Sequence, residues 1–208
     1  VGKFIKSNIR NLNSIPLVIG KQGWIEEIEP DVVIIESPNF DARPESSIVD
    51  LLVLHNISIP LGSYGGGEIE SLFVNRLNTS KKKFKNLHGL KVSAHFLIKR
   101  TGVIIQFVSI CDRAWHAGSS RFLGKENCNN YSIGVELEGT DLEPFTEYQY
   151  CMLNKLIESV SSFFPSVRHL TGHSFIAPGR KTDPGPFFKW DEIKNCSKLR
   201  KKNFSFHI

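Results

Sequence analysis

Along the 208-residue chain the apolar positions change period several times, and each change marks an element. Residues 31–35 (DVVII) and 48–55 (IVDLLVLH) are short runs of branched side chains separated by the turn-forming SPNFDARP. Both are predicted to be extended, the second as a buried strand. Pro60, Gly62, Gly65, Gly66 and Gly67 then break the pattern into a loop. Behind it Ile69, Leu72, Phe73 and Arg76 recur at helical spacing, which predicts a short helix over 68–77. Residues 92–98 (VSAHFLI) and 103–108 (VIIQFV) flank a Thr101-Gly102 pair that suits a tight turn, so they predict a hairpin. Residues 131–138 (YSIGVELE) alternate, with Ile133, Val135 and Leu137 on one face and Gly134, Glu136 and Glu138 on the other. The strongest helix signal covers 147–164, because Thr146 and Gln149 have capping-box spacing, Phe145 can staple onto Tyr150, and Pro165 stops the run. Leu153, Leu156, Ile157, Val160 and Phe164 give that helix one apolar stripe. Strands interleaved with helices predict an α/β fold with a mixed central β-sheet flanked by helices, mixed because a hairpin is antiparallel.

Composition narrows this to one soluble domain, since a chain of this length buries about 70% of the surface it exposes unfolded. The domain is expected over 23–195. Residues 1–22 carry Lys3, Lys6, Arg10 and Lys21 with no acid before Glu26, and are expected to form a flexible extension outside the core. Residues 196–208 are expected to be a basic tail. The net charge of +5 lies largely in two clusters, Lys81, Lys82, Lys83 and Lys85, and Lys194, Lys198, Arg200, Lys201 and Lys202. Both are expected to be solvated; no nucleic-acid motif accompanies them, so no nucleic-acid partner is expected. The four cysteines are scattered without a C-x-x-C pair, which argues against a zinc knuckle or a disulfide scaffold and fits a reduced compartment. No apolar run approaches the roughly 18 residues of a membrane span, and the N-terminus lacks the apolar stretch of a signal peptide. A cytoplasmic location is expected, the basic leader being the feature that stands against it. No obligatory protein partner is evident.

The chemistry concentrates in residues 169–190, HLTGHSFIAPGRKTDPGPFFKW, which Pro178, Gly179, Pro184, Gly185 and Pro186 prevent from being one continuous helix or strand. A bound metal would hold this run still if His173 and Asp183 turn inward, since imidazole and carboxylate suit zinc. His55, at the end of the most apolar upstream run, is the candidate third ligand. The residues alone leave two readings open, because a single histidine is ordinarily structural or superficial; His88 and His207 are read that way.

Taken together, LLVLHNIS, VSAHFLI, RAWHAG, YSIGVELEGTD, TGH and GRKTDPGP resemble, in order and spacing, the zinc-dependent N-acetylmuramoyl-L-alanine amidases, in particular those that recycle cell wall. The likeness runs from Gly23 to about Trp190. It implies the single-domain fold of that family and one Zn²⁺ held by His55, His173 and Asp183, three ligands that leave a position open as catalytic zinc sites do. It implies Glu136 as the acid/base carboxylate and Lys181 as the residue that stabilises the oxyanion. Glu138 shares a strand face with Glu136, and repulsion between the two is expected to raise one proton affinity. The implied substrate is the amide between the lactyl group of muramic acid, in its 1,6-anhydro form, and L-alanine, with Asn56, Lys91 and Trp115 as substrate-binding residues. His95 and His116 are expected to support the site or the fold. Lys91 and Asn127 stand where wall-recycling members carry arginines toward the stem-peptide carboxylates, which puts the usual stem preference in question. Two alternatives share the fold: a non-catalytic module that recognises peptidoglycan fragments, and an amidase that cuts intact wall.

Overall fold

The computed structural model describes residues 17–26, 31–195 and 204–208. Its frame is a seven-stranded sheet built from β1 (Val32–Ile34), β3 (Leu51–Ile57), β4 (Phe96–Ile98), β5 (Ile104–Gln106), β9 (Ser132–Glu138), β10 (His169–Gly172) and β11 (Ser205–His207). In space their order is β1-β5-β4-β9-β3-β10-β11, and every neighbouring pair is parallel except β4 with β5. The sheet is therefore mixed, as the hairpin predicts. The short strands β2 (Phe40–Asp41) and β6 (Arg113–Ala114) pair apart from it, as do β7 (Arg121–Phe122) and β8 (Lys125–Glu126). Among the described residues the α-helices are α1 (Glu68–Phe73), α2 (Glu147–Phe163), α3 (His173–Ile176) and α4 (Trp190–Lys194).

One sheet face carries the main core. Leu52 and Leu54 of β3 lie beside Ile133 and Val135 of β9, and α2 packs Leu153, Leu156, Ile157 and Val160 onto that layer. Each of these side chains is fully buried, which stabilises the fold by about 1.5–3 kcal/mol apiece before entropy is counted. The helix begins as the sequence predicts: the Thr146 hydroxyl accepts from the Gln149 amide at 3.2 Å, and the Gln149 side chain accepts from the Thr146 amide at 3.0 Å. Phe145 and Tyr150 both join the main core, where the Phe188 ring lies against each of them. The opposite sheet face, with Leu51 and Val53, is left to a smaller cluster and to polar groups.

Several expected boundaries move. The helix predicted over 68–77 stops at Phe73, because the chain turns at Asn75 with φ of 60°. The first hairpin strand starts only at Phe96, since Ser93 is drawn instead to the Trp115 carbonyl. Leu17 is buried in the main core and Ile19 pairs with Ile25, so packing begins ahead of residue 23; residues 1–16 lie outside the described residues. Within the expected basic tail, residues 205–207 form β11, paired in parallel with β10. Cys111 and Cys128 take part in no disulfide among the described residues, and Cys196 lies outside them. Among the described residues no helix is long and apolar enough to cross a membrane.

Candidate active site and metal centre

Three adjacent parallel strands present the site. The register pairs His55 of β3 with Glu136 of β9, and Leu54 of β3 with Gly172 of β10. His173 follows Gly172 directly, so Glu136, His55 and His173 come from one row at the carboxyl ends of the strands, the rim where open α/β sheets place ligands. Asp183 returns from the loop after α3, tied by its carbonyl to the Ser174 amide at 2.9 Å. Gly172 makes room for that return: a Cβ there would lie 2.7 Å from Cδ of Pro184.

Nδ1 of His55, Nδ1 of His173 and Oδ2 of Asp183 form a triangle with sides of 2.9, 3.0 and 3.0 Å. Among the described residues this is the one group of three side chains placed to hold a metal ion. The fit to a cation is chemical as well as geometric. Nε2 of His173 is 3.0 Å from the Ala117 carbonyl, an acceptor, so in the neutral ring the proton sits on Nε2 and Nδ1 carries a lone pair. A buried lone pair 3.0 Å from a carboxylate oxygen is repulsive unless a positive charge lies between them.

Burial pushes His55 down to about 4, against the pull of the Asp183 hydrogen bond and with the help of His173. It therefore stays neutral, as a ligand must. Burial would raise Asp183, but positive charge at the two Nδ1 positions facing its Oδ2, from protonated rings or from a cation between them, outweighs burial and holds the carboxyl below its ordinary range. Glu136 goes the other way. Burial raises it well above the usual carboxylate value, the charge of Asp183 adds to this, and Lys181 opposes it. Its Oε2 is buried and has no hydrogen-bond partner among the described residues. The expected repulsion from Glu138 is not the cause: that carboxylate accepts from the amides of Gly65 at 2.8 Å and Arg100 at 3.0 Å and lies 3.3 Å from the Lys99 ammonium. Strand alternation puts the two glutamates on one face, but the protein spends Glu138 on anchoring the loop before α1.

These groups open into a cleft of about 530 Å³, also lined by Asn56, Lys91, Trp115, Arg180 and Lys181. Lys181 and Lys91 are exposed on its walls. Nε1 of Trp115 is buried and unpartnered. Nδ2 of Asn56 donates to Asp141 at 2.7 Å and to the Pro184 carbonyl at 3.0 Å, so this side chain also ties down the Asp183 loop. Asn127 lines a neighbouring depression instead of the cleft. Arg180, which stands in GRKTDPGP but received no role from the sequence, borders both and donates to the carbonyls of Ala117 at 2.8 Å and Ser119 at 2.6 Å. His95 is structural: Nδ1 accepts from the Gly134 amide and Nε2 faces the Asp112 carbonyl. His88 is exposed, and His207 lies in β11.

Beside three side chains that could hold a metal ion lies a buried carboxyl with raised proton affinity, at the rim of a mixed sheet, and such a set suits hydrolytic chemistry. Residues 45–186 match the Amidase_2 family, described as N-acetylmuramoyl-L-alanine amidase, and the chain belongs to that family. Within it the likeness is to AmpD. The chain is 44% identical over 176 residues to 1,6-anhydro-N-acetylmuramyl-L-alanine amidase AmpD of Escherichia coli K12, covering 84% of this chain and 94% of that one. The crystal structure of a selenomethionine AmpD derivative matches with a TM-score of 0.79 at 42% identity, over 84% of this chain and 97% of that chain. AmpDh3 of Pseudomonas aeruginosa, in complex with an anhydromuramic pentapeptide, matches with a TM-score of 0.51 at 26% identity, over 77% of this chain and 65% of that chain. The family and fold implied by the sequence motifs are thus borne out.

Proposed function

We propose that this protein hydrolyses the amide between the lactyl group of 1,6-anhydro-N-acetylmuramic acid and L-alanine in soluble muropeptides, in cytoplasmic peptidoglycan recycling, with one zinc ion held by His55, His173 and Asp183. The observation that carries the reading is the pairing of that triangle with Glu136, a carboxyl whose orphaned oxygen and raised proton affinity suit a group that takes a proton and passes it on. When bound, zinc would polarise the carbonyl under attack and make water acidic enough to react near neutral pH. Glu136 receives the proton of the attacking water on its free oxygen and delivers it to the departing amine of L-alanine. Lys181 holds positive charge beside the site, where it steadies the oxygen that becomes negative as the carbonyl turns tetrahedral. Trp115, on the cleft wall, sets its ring against the sugar or the peptide, and Asn56 offers its amide oxygen. Lys91 supplies charge to the stem peptide without an arginine's bidentate fork.

The similarity to AmpD across most of both chains favours the soluble anhydro substrate over intact wall. The complete constellation speaks against a module that binds fragments without cutting them. Mass spectrometry of products from a defined anhydro-muropeptide, incubated with the zinc-loaded and the chelator-treated protein, tests the proposal. Free L-alanyl peptide and anhydro-muramic acid are expected only with zinc. Cleavage that survives metal removal, or turnover of whole sacculi in preference to the soluble substrate, would sink it.

A further inference from the structure

His55 touches the metal position through Nδ1, and what decides whether Nδ1 can bind is which nitrogen of the ring carries the proton. A row of hydrogen bonds behind the site settles this. Ser132 Oγ lies 2.6 Å from the Cys128 carbonyl, which only accepts, so its single proton points there. The same oxygen is 3.2 Å from Nε2 of His116 and therefore accepts from it, placing the His116 proton on Nε2. Nδ1 of His116 is left with a lone pair, 3.0 Å from Nε2 of His55. That pair draws the His55 proton to Nε2 and leaves Nδ1 of His55 bare toward His173 and Asp183.

We propose that His116 and Ser132 are positioning residues that lock His55 in its Nε2–H tautomer and so keep Nδ1 turned to the metal. The inference rests on the metal reading above. Its seat is built into the backbone: a Cβ at Gly134 would lie 2.4 Å from Cγ of His116, so the ring fits only over a glycine. Strand alternation serves the same end, because Ser132, Gly134 and Glu136 share one face of β9 and the register sets Glu136 beside His55. Partners that orient a metal-binding imidazole raise metal affinity by about 10–100-fold in general.

Two measurements on the full chain test this without relying on turnover. Long-range proton–nitrogen correlation spectra of the metal-free protein should show His55 protonated on Nε2; a His55 ring protonated on Nδ1 overturns the proposal and needs no variant. Zinc affinity, read by competition with a chromophoric chelator, should fall about 10–100-fold in His116→Ala. It should stay near the wild-type value in His116→Asn, whose Oδ1 can stand where Nδ1 stood. Ser132→Ala should weaken zinc in the same direction by a smaller factor. Folded His116→Ala protein with undiminished affinity overturns the proposal, as does an equal loss in His116→Asn. If the wild-type chain takes up no zinc, the metal reading itself fails; if it takes up zinc with the Nδ1–H tautomer in the metal-free state, only this inference does.

Discussion

Glu136 and Asp183 are buried side by side, yet burial and hydrogen bonding drive their proton affinities apart. A cation in the triangle would stabilise Asp183 as the anion; among the described residues nothing donates to the free oxygen of Glu136. This asymmetry has a stability consequence in the metal-free protein. Glu136 titrates above its ordinary 4.5 when folded, so between that value and its raised one the native state holds more protons than the unfolded chain, and stability drops as pH rises. Glu136→Gln removes the drop. Thermal unfolding of metal-free protein should therefore show the variant more stable than wild type at pH 7 to 8, with the advantage vanishing below about pH 4.5. A variant with no pH-dependent advantage would mean that Glu136 is solvated. The same variant should bind zinc normally and lose about 100-fold or more in turnover, in the range expected when a general acid/base is removed. At this scale the residues that come together were easier to read in the sequence than the partners that hold them. His55, His173, Asp183 and Glu136 stand in motifs, whereas the capture of Glu138 by Lys99 and two backbone amides depends on a loop whose path no periodicity describes.

Among the elements, α2 was the most legible, since its cap, stripe and stop are local and its bounds differ from the expected ones by a single residue. Gln149 does more than close the capping box: its Nε2 donates to the Ile98 carbonyl at 3.2 Å and to the Glu138 carbonyl at 3.0 Å, fastening the helix start to β4 and β9. Thr146→Ala should thus cost about 1 kcal/mol in urea unfolding, the usual value of a cap. Gln149→Ala should cost more, about 2–3 kcal/mol, because buried carbonyls lose their donor as well. Because the Thr146 hydroxyl also donates to the Arg100 carbonyl at 2.7 Å, a cost for Gln149→Ala below that of Thr146→Ala would show that the two strand contacts contribute little. The short strands were harder to read. Parallel pairing is set by the register between segments far apart in sequence, so β11, at three residues, carries too little local pattern to announce itself, whereas the branched run DVVII announces β1. The same cause hid the place of Leu17, whose burial depends on the sheet it packs against.

At the level of the whole molecule, the sheet brings together groups that the chain keeps apart. His55 is 118 residues from His173 and 128 from Asp183. A random chain closes loops of that length rarely, so a half-folded molecule offers the ion at most the nearby pair of His173 and Asp183, ten residues apart. On the proposed metal reading, zinc would consequently come late in folding and would act as a latch on the finished sheet and not as a seed for it. Adding zinc should leave the refolding rate of metal-stripped protein unchanged while slowing unfolding, the pattern of an interaction missing from the transition state. Stopped-flow traces in which zinc hastened refolding would place the assembly of β3 and β10 before the rate-limiting step.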